Sequence, residues 1–398
     1  MVSNNCMHYE QCHICCARKV AIINEFADLH RVTSDCRPWM SGGKLGVCKS
    51  CGCVQKIIDK DFLRDSNMIY NSYSVYHQAA GEEQRTFEQS HGQSHYRSEL
   101  ILTEVLKEID LPSKGRLLDI GCGNGNLFRS FLKVRPLWTF VGSEVNEKSR
   151  CLVKQIQNVE TCYSGDVEEI PGTFDMISMI HCLEHIMNPE QLLTKLHDKI
   201  NPEGVLLLEV PDYTQNPFDL IIADHCSHFT LETLKQLFHH SGFTVIRAKS
   251  NYIAKELTFL VQKSTQRTNR KREKRDTLSS HSIVKTIQWL QDTIHEALTI
   301  AQQGRFGLFG TSIAGVWLYG NCGDAVTFFV DEDPSRIERE FMGRTVYHPK
   351  DVPEGWNVFL AVPYPIAKKI WERMQSFHAR FYLPPEFPEQ GGGINAKS

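Results

Sequence analysis

No apolar run in this 398-residue chain approaches the roughly 20 residues that a membrane-spanning helix needs. The opening stretch MVSNNCMHYEQC lacks the basic and apolar blocks of a secretory leader. A cytoplasmic location, with no membrane partner, is the resulting expectation. Surplus positive charge is also missing: the formal net charge is −3, which argues against a nucleic-acid partner. Hydrophobic residues at 41% and charged residues at 23% exclude neither a core nor a surface and are ordinary for a globular protein. The length exceeds what one core supports, so two or three domains are expected.

What the chain has in abundance is cysteine. Eight of its 14 cysteines fall within the first 53 residues. In a reducing compartment such clustering points to metal binding rather than to disulfides. Cys12-His-Ile-Cys15 and Cys48-Lys-Ser-Cys51 are two CxxC pairs either side of a long loop, the spacing of a tetrahedral four-cysteine zinc site. Gly52 permits the tight turn after the second pair. Four sulfur ligands leave no open position for water, so the expected role of zinc is structural. Cys16 and Cys53 are alternative ligands that break the CxxC spacing.

The chain is organised around Arg116-Leu-Leu-Asp-Ile-Gly-Cys-Gly-Asn-Gly125. Arg116 to Ile120 reads as a buried strand, and Gly121, Gly123 and Gly125 as a tight turn into a helix beginning near Asn124. Such a turn lets backbone N–H groups approach a ligand. A second strand, Trp138 to Ser143, carries Glu144 at its tip, about 20 residues on, where an acid accepts hydrogen bonds from a ribose diol. A third strand ends near Gly165-Asp166-Val167. A fourth, Phe174 to Ile180, leads into His181-Cys-Leu-Glu-His185, and Gly204 to Val210 is a fifth. Glu147 to Gln157 and Glu190 to Ile200 read as crossover helices, and Arg97 to Ile109 as a helix preceding the sheet. Strands alternating with helices argue an α/β fold with a parallel sheet. An NAD-binding domain is the competing reading, but the full GxGxxG spacing is not present.

Residues 54 to 96 are aromatic and polar, and read as a lid over a polar ligand. After the fifth strand, Pro211 to Thr230 leaves the carboxyl edge of the sheet, where ligands of open α/β folds bind. It carries Asp224, His225 and His228. An acid beside an imidazole suits a general base, assigned here to Asp224 and His225; His228 reads as a packing or capping residue. Thr230 with Thr233 predicts a helix N-cap. Gly242 to Ser250 and Tyr252 to Gln262 read as a closing antiparallel hairpin. Lys263 to Asp276 has no apolar residue and reads as a solvated linker. A long helix, Ser282 to Gln302, precedes a second glycine turn, Gly310 to Gly315, and a strand from Val326 to Val330 with Asp331 at its tip. This predicts a smaller Rossmann-like domain. The expected boundaries are 1–85 for the zinc segment and lid, 86–265 for the core, 266–277 for the linker and 278–398 for the last domain.

The strand ladder resembles the class I S-adenosylmethionine (SAM)-dependent methyltransferases, on LLDIGCGNG at 117–125, Glu144, Asp166 and MIHCLEHIMNP at 179–189. The resemblance implies SAM as cofactor. Asp119, Gly121, Gly123 and Gly125 would lie in the motif under its methionine part, with Glu144 on the ribose and Asp166 at the adenine. The order of zinc segment, SAM core and small Rossmann-like domain is similar to the sugar-nucleotide C-methyltransferases, over Cys12 to about Pro385. In the last domain it rests on FGLFGTSIAG at 306–315 and FFVDEDPSRIEREFMGRTV at 328–346. That resemblance implies methylation of carbon-3 of a dTDP-linked 4-keto deoxysugar. His225, oriented by Asp224, would take the proton, and Tyr76 or His181 would hold the enolate oxygen. This chain departs from the family's usual Glu-His pair and its tyrosine-rich preceding segment. The alternatives are O-methylation of a small-molecule hydroxyl, or a non-catalytic or protein-directed zinc-containing protein.

Overall fold

The computed structural model describes residues 11–73, 85–87, 94–250, 252–264 and 280–387. The chain forms two compact units. The first comprises Met1–Val20, Cys48–Asp219 and Asp224–Asp276; the second comprises Ala21–Val47, Leu220–Ala223 and Thr277–Ser398.

The first unit is built on seven strands: β1 (Arg116–Ile120), β2 (Thr139–Ser143), β3 (Val159–Tyr163), β4 (Phe174–Ile180), β5 (Ile200–Pro211), β6 (Phe243–Lys249) and β7 (Glu256–Lys263). Their order across the sheet is β3-β2-β1-β4-β5-β7-β6. β1 to β5 run parallel, and β7 is antiparallel to both of its neighbours. Period-two alternation divides each apolar strand between two cores. Leu117, Met176 and Leu207 face Phe128, Phe131, Trp138 and Phe140 on one side. Leu118, Ile177 and Leu208 face Leu193, Leu196, Leu234 and Phe238 on the other. Phe128 stacks on Phe140 with centroids 5.0 Å apart, adding directional contact to area burial. β5 starts at Ile200 rather than Gly204, because the chain turns into the sheet directly after the preceding helix.

One helix of this unit departs from the sequence reading. α1 (Lys60–Asn71) lies within the stretch expected to be a polar lid. Asp59 caps it by accepting from Phe62 N–H, and Phe62 and Ile69 are buried. Two apolar residues seven apart on one face suffice to anchor an otherwise polar helix. The remaining helices are α2 (Arg97–Glu108), α3 (Asn126–Val134), α4 (Glu147–Val153), α5 (Pro189–Lys199) and α6 (Leu231–His240). α6 begins at the expected Thr230–Thr233 capping box.

The second unit has the long helix α7 (Ser280–Ala301), then β8 (Phe306–Phe309), α8 (Ile313–Cys322), β9 (Val326–Val330), β10 (Glu340–Phe341), β11 (Arg344–Tyr347), β12 (Asn357–Leu360), α9 (Tyr364–Met374) and β13 (Arg380–Tyr382). The sheet order is β10-β11-β9-β8-β12-β13. α8 is apolar nearly all round, with Val316, Trp317 and Leu318 buried, and a helix of that kind must be covered on every side. Part of the cover comes from far away in sequence: Trp317 Nε1 donates to His30 O at 2.8 Å. That contact explains why the stretch between the two CxxC pairs belongs to this unit. Among the described residues, no helix is long and apolar enough to cross a membrane.

Candidate active site and cysteine cluster

The carboxyl ends of β1, β2, β4 and β5 converge on one edge of the sheet. At β1 the chain turns through Gly121 (φ 73°), Gly123 (φ 50°) and Gly125 (φ 76°), all left-handed. The left-handed φ at Gly125 favours glycine, and a Cβ there would also press on Ile156 Cδ1, a side-chain tip that would have to move. Glu144, at the end of β2, is folded over this turn: Oε2 accepts from Gly123 N–H at 2.9 Å and Oε1 from Asn146 N–H at 2.8 Å. Each oxygen retains a second lone pair for a diol. Asp119 is buried and accepts from Ser178 Oγ at 2.7 Å. Burial pushes its carboxyl up to about 7, with the charge of Glu144 adding to the rise. This cradle fits SAM: an acid at the ribose position, a left-handed glycine turn whose missing side chains let a ligand lie close to the backbone, and carboxylates to balance a sulfonium. Asp166 is oriented differently from the other acids. Its exposed carboxylate pairs with Lys195 on α5 at 2.7 Å and caps Glu168 N–H, and Lys195 holds it below the usual range.

His181 follows β4 in a left-handed conformation, φ 51°, unusual for a residue with a Cβ. Its Nδ1 lies 3.2 Å from Glu184 Oε1, and its buried Nε2 is 3.7 Å from Glu256 Oε2. Burial and Arg97 push its pKa down, but Glu256 and Glu184 outweigh them and the net shift is upward.

The loop after β5 corrects one assignment. Asp224 does not orient His225. Asp219 does: its Oδ1 lies 2.7 Å from His225 Nδ1 and its Oδ2 lies 2.6 Å from His228 Nδ1. Asp224 turns the other way, with Oδ2 3.4 Å from His185 Nδ1. Burial opposes the charge on Asp219, yet His228 and His225 together hold its carboxyl below the usual range. Burial and the ammonium of Lys56 push His228 down to about 4, and Lys56 Nζ sits 3.0 Å from its Nε2. His228 is therefore a neutral packing and positioning group, in line with the sequence reading. Burial lowers His185, but the Asp224 carboxylate outweighs it and pushes that imidazole up to about 9. Nothing in the spacing marks Asp219, Lys56, Glu184 or His185 as a group; Glu184 and His185 sit in the MIHCLEHIMNP motif, the one signal available. Tyr76 lies outside the described residues.

The four expected cysteines come together, with one sulfur from each of Cys12, Cys15, Cys48 and Cys51 within 4.8 Å of the others. Cys12 and Cys51 sulfurs are 3.4 Å apart and Cys15 and Cys48 sulfurs 3.6 Å, near the ~3.8 Å edge of a tetrahedron with ~2.3 Å zinc–sulfur bonds. The two halves repeat one geometry. Ile14 N–H and Ser50 N–H point at the sulfurs of Cys12 and Cys48, two residues back. Cys16 N–H and Gly52 N–H donate to the carbonyls of Cys12 and Cys48, both from left-handed residues, φ 56° and 77°. The site is joined to the loop that follows β5. His13 Nδ1 is 2.9 Å from Ser227 Oγ, and Val54–Lys56, just after the second pair, forms an antiparallel pair with Ser227–His228.

The second unit's acid is engaged by its own chain. Asp331 Oδ2 accepts from Thr311 N–H and from Thr311 Oγ1, with Arg336 Nη1 3.4 Å away. Its Oδ1 accepts from Asp333 N–H.

Residues 93–248 match the family described as "Methyltransferase domain". The chain carries a methyltransferase domain. Its seven-strand order, with the glycine turn after β1 and the acid after β2, is the class I SAM-dependent arrangement. The chain is 33% identical over 115 residues to the mitochondrial ubiquinone biosynthesis O-methyltransferase of Schizosaccharomyces pombe, covering 27% of this chain and 42% of that protein. It is 27% identical over 133 residues to the trans-aconitate 2-methyltransferase of Deinococcus radiodurans, covering 32% of this chain and 48% of that one. The chain thus spans about half the length of these curated relatives. Among solved structures, a SAM-dependent methyltransferase from Clostridium acetobutylicum aligns at 11% identity with TM-score 0.35, over 51% of this chain and 98% of that one. Human N-acetylserotonin methyltransferase in complex with SAM aligns at 17% identity with TM-score 0.36, over 41% and 51%.

Proposed function

We propose that the protein is a SAM-dependent methyltransferase acting on a small molecule, with the acceptor bound at the His225 loop. SAM supplies an electrophilic methyl on a sulfonium. The chain's own residues supply position and proton transfer. Glu144 holds the ribose hydroxyls, Asp166 contributes at the adenine, and the turn from Gly121 to Gly125 passes under the methionine part. In the metal-free protein His225 takes the acceptor's proton on Nε2, because Asp219 engages Nδ1 and fixes the tautomer. His181 holds a developing oxyanion, aided by Tyr76. The observation that carries this reading is the Asp219–His225 pair at the edge of a sheet whose glycine turn and Glu144 suit SAM.

The finer reading is C-methylation of a nucleotide-linked 4-keto deoxysugar, through an enolate at carbon-3. The order of cysteine knuckles, SAM core and Rossmann-like unit supports it, as does the acid–imidazole site suited to a carbon acid. The O-methylation reading draws its support from the names of the curated relatives. Cys12, Cys15, Cys48 and Cys51 hold a structural zinc that ties the first knuckle to the catalytic loop.

One incubation separates the two chemistries. With SAM and a dTDP-4-keto deoxysugar in deuterated water, the enolate route gives deuterium exchange at carbon-3 and a C-methyl product. No exchange and no methylated sugar, with methylation of a hydroxyl acceptor instead, would turn the reading to oxygen. Calorimetry showing no uptake of SAM or its demethylated product would end both.

A further inference from the structure

Behind the acceptor site, Glu184, His185 and His225 each place a ligand atom within 4.8 Å of the others. All three are enclosed: Glu184 and His225 are buried, and His185 is largely so. Two features set this trio apart from an ordinary buried polar cluster.

The first is how the imidazoles are held. His225 Nδ1 faces Asp219 Oδ1 at 2.7 Å. His185 Nδ1 faces the Asp224 backbone carbonyl at 3.2 Å and its Oδ2 at 3.4 Å. All these partners are oxygens that accept, so Nδ1 carries a hydrogen in both rings, and Nε2 is the nitrogen on which an ion would take the place of a proton. A carboxylate on the far nitrogen is the arrangement that fixes the tautomer of a metal-ligating histidine and raises its basicity. The rings meet edge to face with centroids 4.6 Å apart and do not stack.

The second is Glu184. Its Oε1 is taken by His181 Nδ1, but Oε2 is buried with no hydrogen-bond partner among the described residues. A carboxylate oxygen enclosed in this way costs free energy unless something positive answers it. Charge around the trio points the same way. Glu184, Asp219 and Asp224 bring three carboxylates, and the basic groups facing them are Lys56 beside His228 and the imidazoles themselves.

We propose that Glu184, His185 and His225 form a binding site for a divalent first-row cation of the manganese or iron(II) class. Two imidazoles and one carboxylate on one side of an ion suit such cations and leave positions open for a ligand. Contraction of the trio around the ion would bring its atoms to the ~3 Å spacing set by bonds of about 2.1 Å. The inference rests on the reading that the acceptor binds at the His225 loop, and it adds that the acceptor coordinates through oxygen. A hydroxyl or keto oxygen held on the cation is acidified or polarised. For a hydroxyl acceptor, the O–H proton leaves to solvent, the oxygen forms its bond to the methyl carbon, and the S–CH3 bond breaks with its electron pair returning to sulfur. The four-cysteine cluster does not compete for this ion, because thiolates select softer metals.

The test uses the full chain as purified, with Mn2+ alone as probe. Titration followed by the electron paramagnetic resonance signal of free Mn2+ is expected to show uptake of one ion per chain. Glu184→Gln and His185→Ala should each weaken it by about tenfold or more, and Asp224→Asn, acting through His185, by about tenfold. Pulsed resonance on the Mn2+-loaded native chain should show nitrogen couplings from imidazole, a readout that needs no variant to fold. No uptake by the native chain, or uptake without nitrogen coupling, or uptake that Glu184→Gln leaves unchanged, would overturn the proposal. SAM uptake is measured separately by calorimetry on the same samples. Loss of the cation with SAM still bound defeats this inference alone, whereas absence of SAM binding defeats the functional reading beneath it.

Discussion

Asp219 stands between two imidazoles, 2.7 Å from His225 Nδ1 and 2.6 Å from His228 Nδ1. With Lys56 behind His228, the line Lys56–His228–Asp219–His225 is buried along its whole length. Asp219→Asn keeps the shape but replaces one acceptor oxygen by a donor. It is expected to lower kcat well below the native value while SAM affinity, measured by calorimetry, stays unchanged. His225→Ala should cost about 10²–10⁴ in kcat. Full activity in His225→Ala would remove this residue from the chemistry.

Glu144 offers a direct test of the SAM site. Glu144→Gln loses one of two charge-assisted hydrogen bonds to the backbone and half of its grip on a diol. Each such bond is worth about 1.5–3 kcal/mol. SAM affinity should fall by roughly tenfold or more, read as the dissociation constant in calorimetry.

Asp119 predicts a pH dependence of stability. Burial raises its carboxyl to about 7, so its protonated form favours the fold. The sign follows from linkage: the favourable contribution is fully present below the unfolded value near 3.9 and is lost as pH rises through about 7. In the absence of SAM, Asp119→Asn should therefore gain melting temperature relative to the native chain at pH 8 and show little difference at pH 4. Comparing the two proteins at each pH cancels the contributions of other groups. A difference that did not grow with pH would contradict the burial argument.

Removal of zinc should loosen the catalytic loop as well as the N-terminal knuckles. His13 reaches Ser227, and Val54–Lys56 pairs with Ser227–His228. Metal analysis should find one zinc per chain, reduced in Cys12→Ser and in Cys48→Ser. Hydrogen exchange at Ser227 and His228 should speed up on chelation. Unchanged exchange there would mean that the loop is held without the metal.

Gly125 tests the turn itself. A left-handed φ of 76° makes Gly125→Ala strained, and the new Cβ also requires the tip of Ile156 to move. Left-handed backbone alone costs roughly 1–2 kcal/mol. Denaturant unfolding should show at least that loss, together with weaker SAM binding.

Much of the first unit was legible from residue patterns because its strands are continuous apolar runs and its glycines must take left-handed conformations. The expected β1 coincides with Arg116–Ile120, the expected N-cap with Thr230, and the four cysteines gather as spacing implied. Helix α1 was not legible, because its buried apolar residues, Phe62 and Ile69, are separated by the polar run Arg64–Asn67 and share their face with Asp65. The partner of His225 was not legible either. Sequence adjacency favoured Asp224, yet the chain turns at Asp224 and aims it at His185, while Asp219, on the preceding helical turn, reaches His225.

Local chemistry, carried in the sequence itself, was enough to determine the strand ladder, the glycine bend, the acid after β2 and the two cysteine knuckles, since each depends on residue type at short range. Only the tertiary structure decided which carboxylate serves which imidazole, that Lys56 stands behind His228, and that Glu184, His185 and His225 share one enclosed space. Those pairings join side chains from segments up to 172 residues apart. Burial, not spacing, selects them, because a charge taken out of water must find its counterpart wherever the fold brings one.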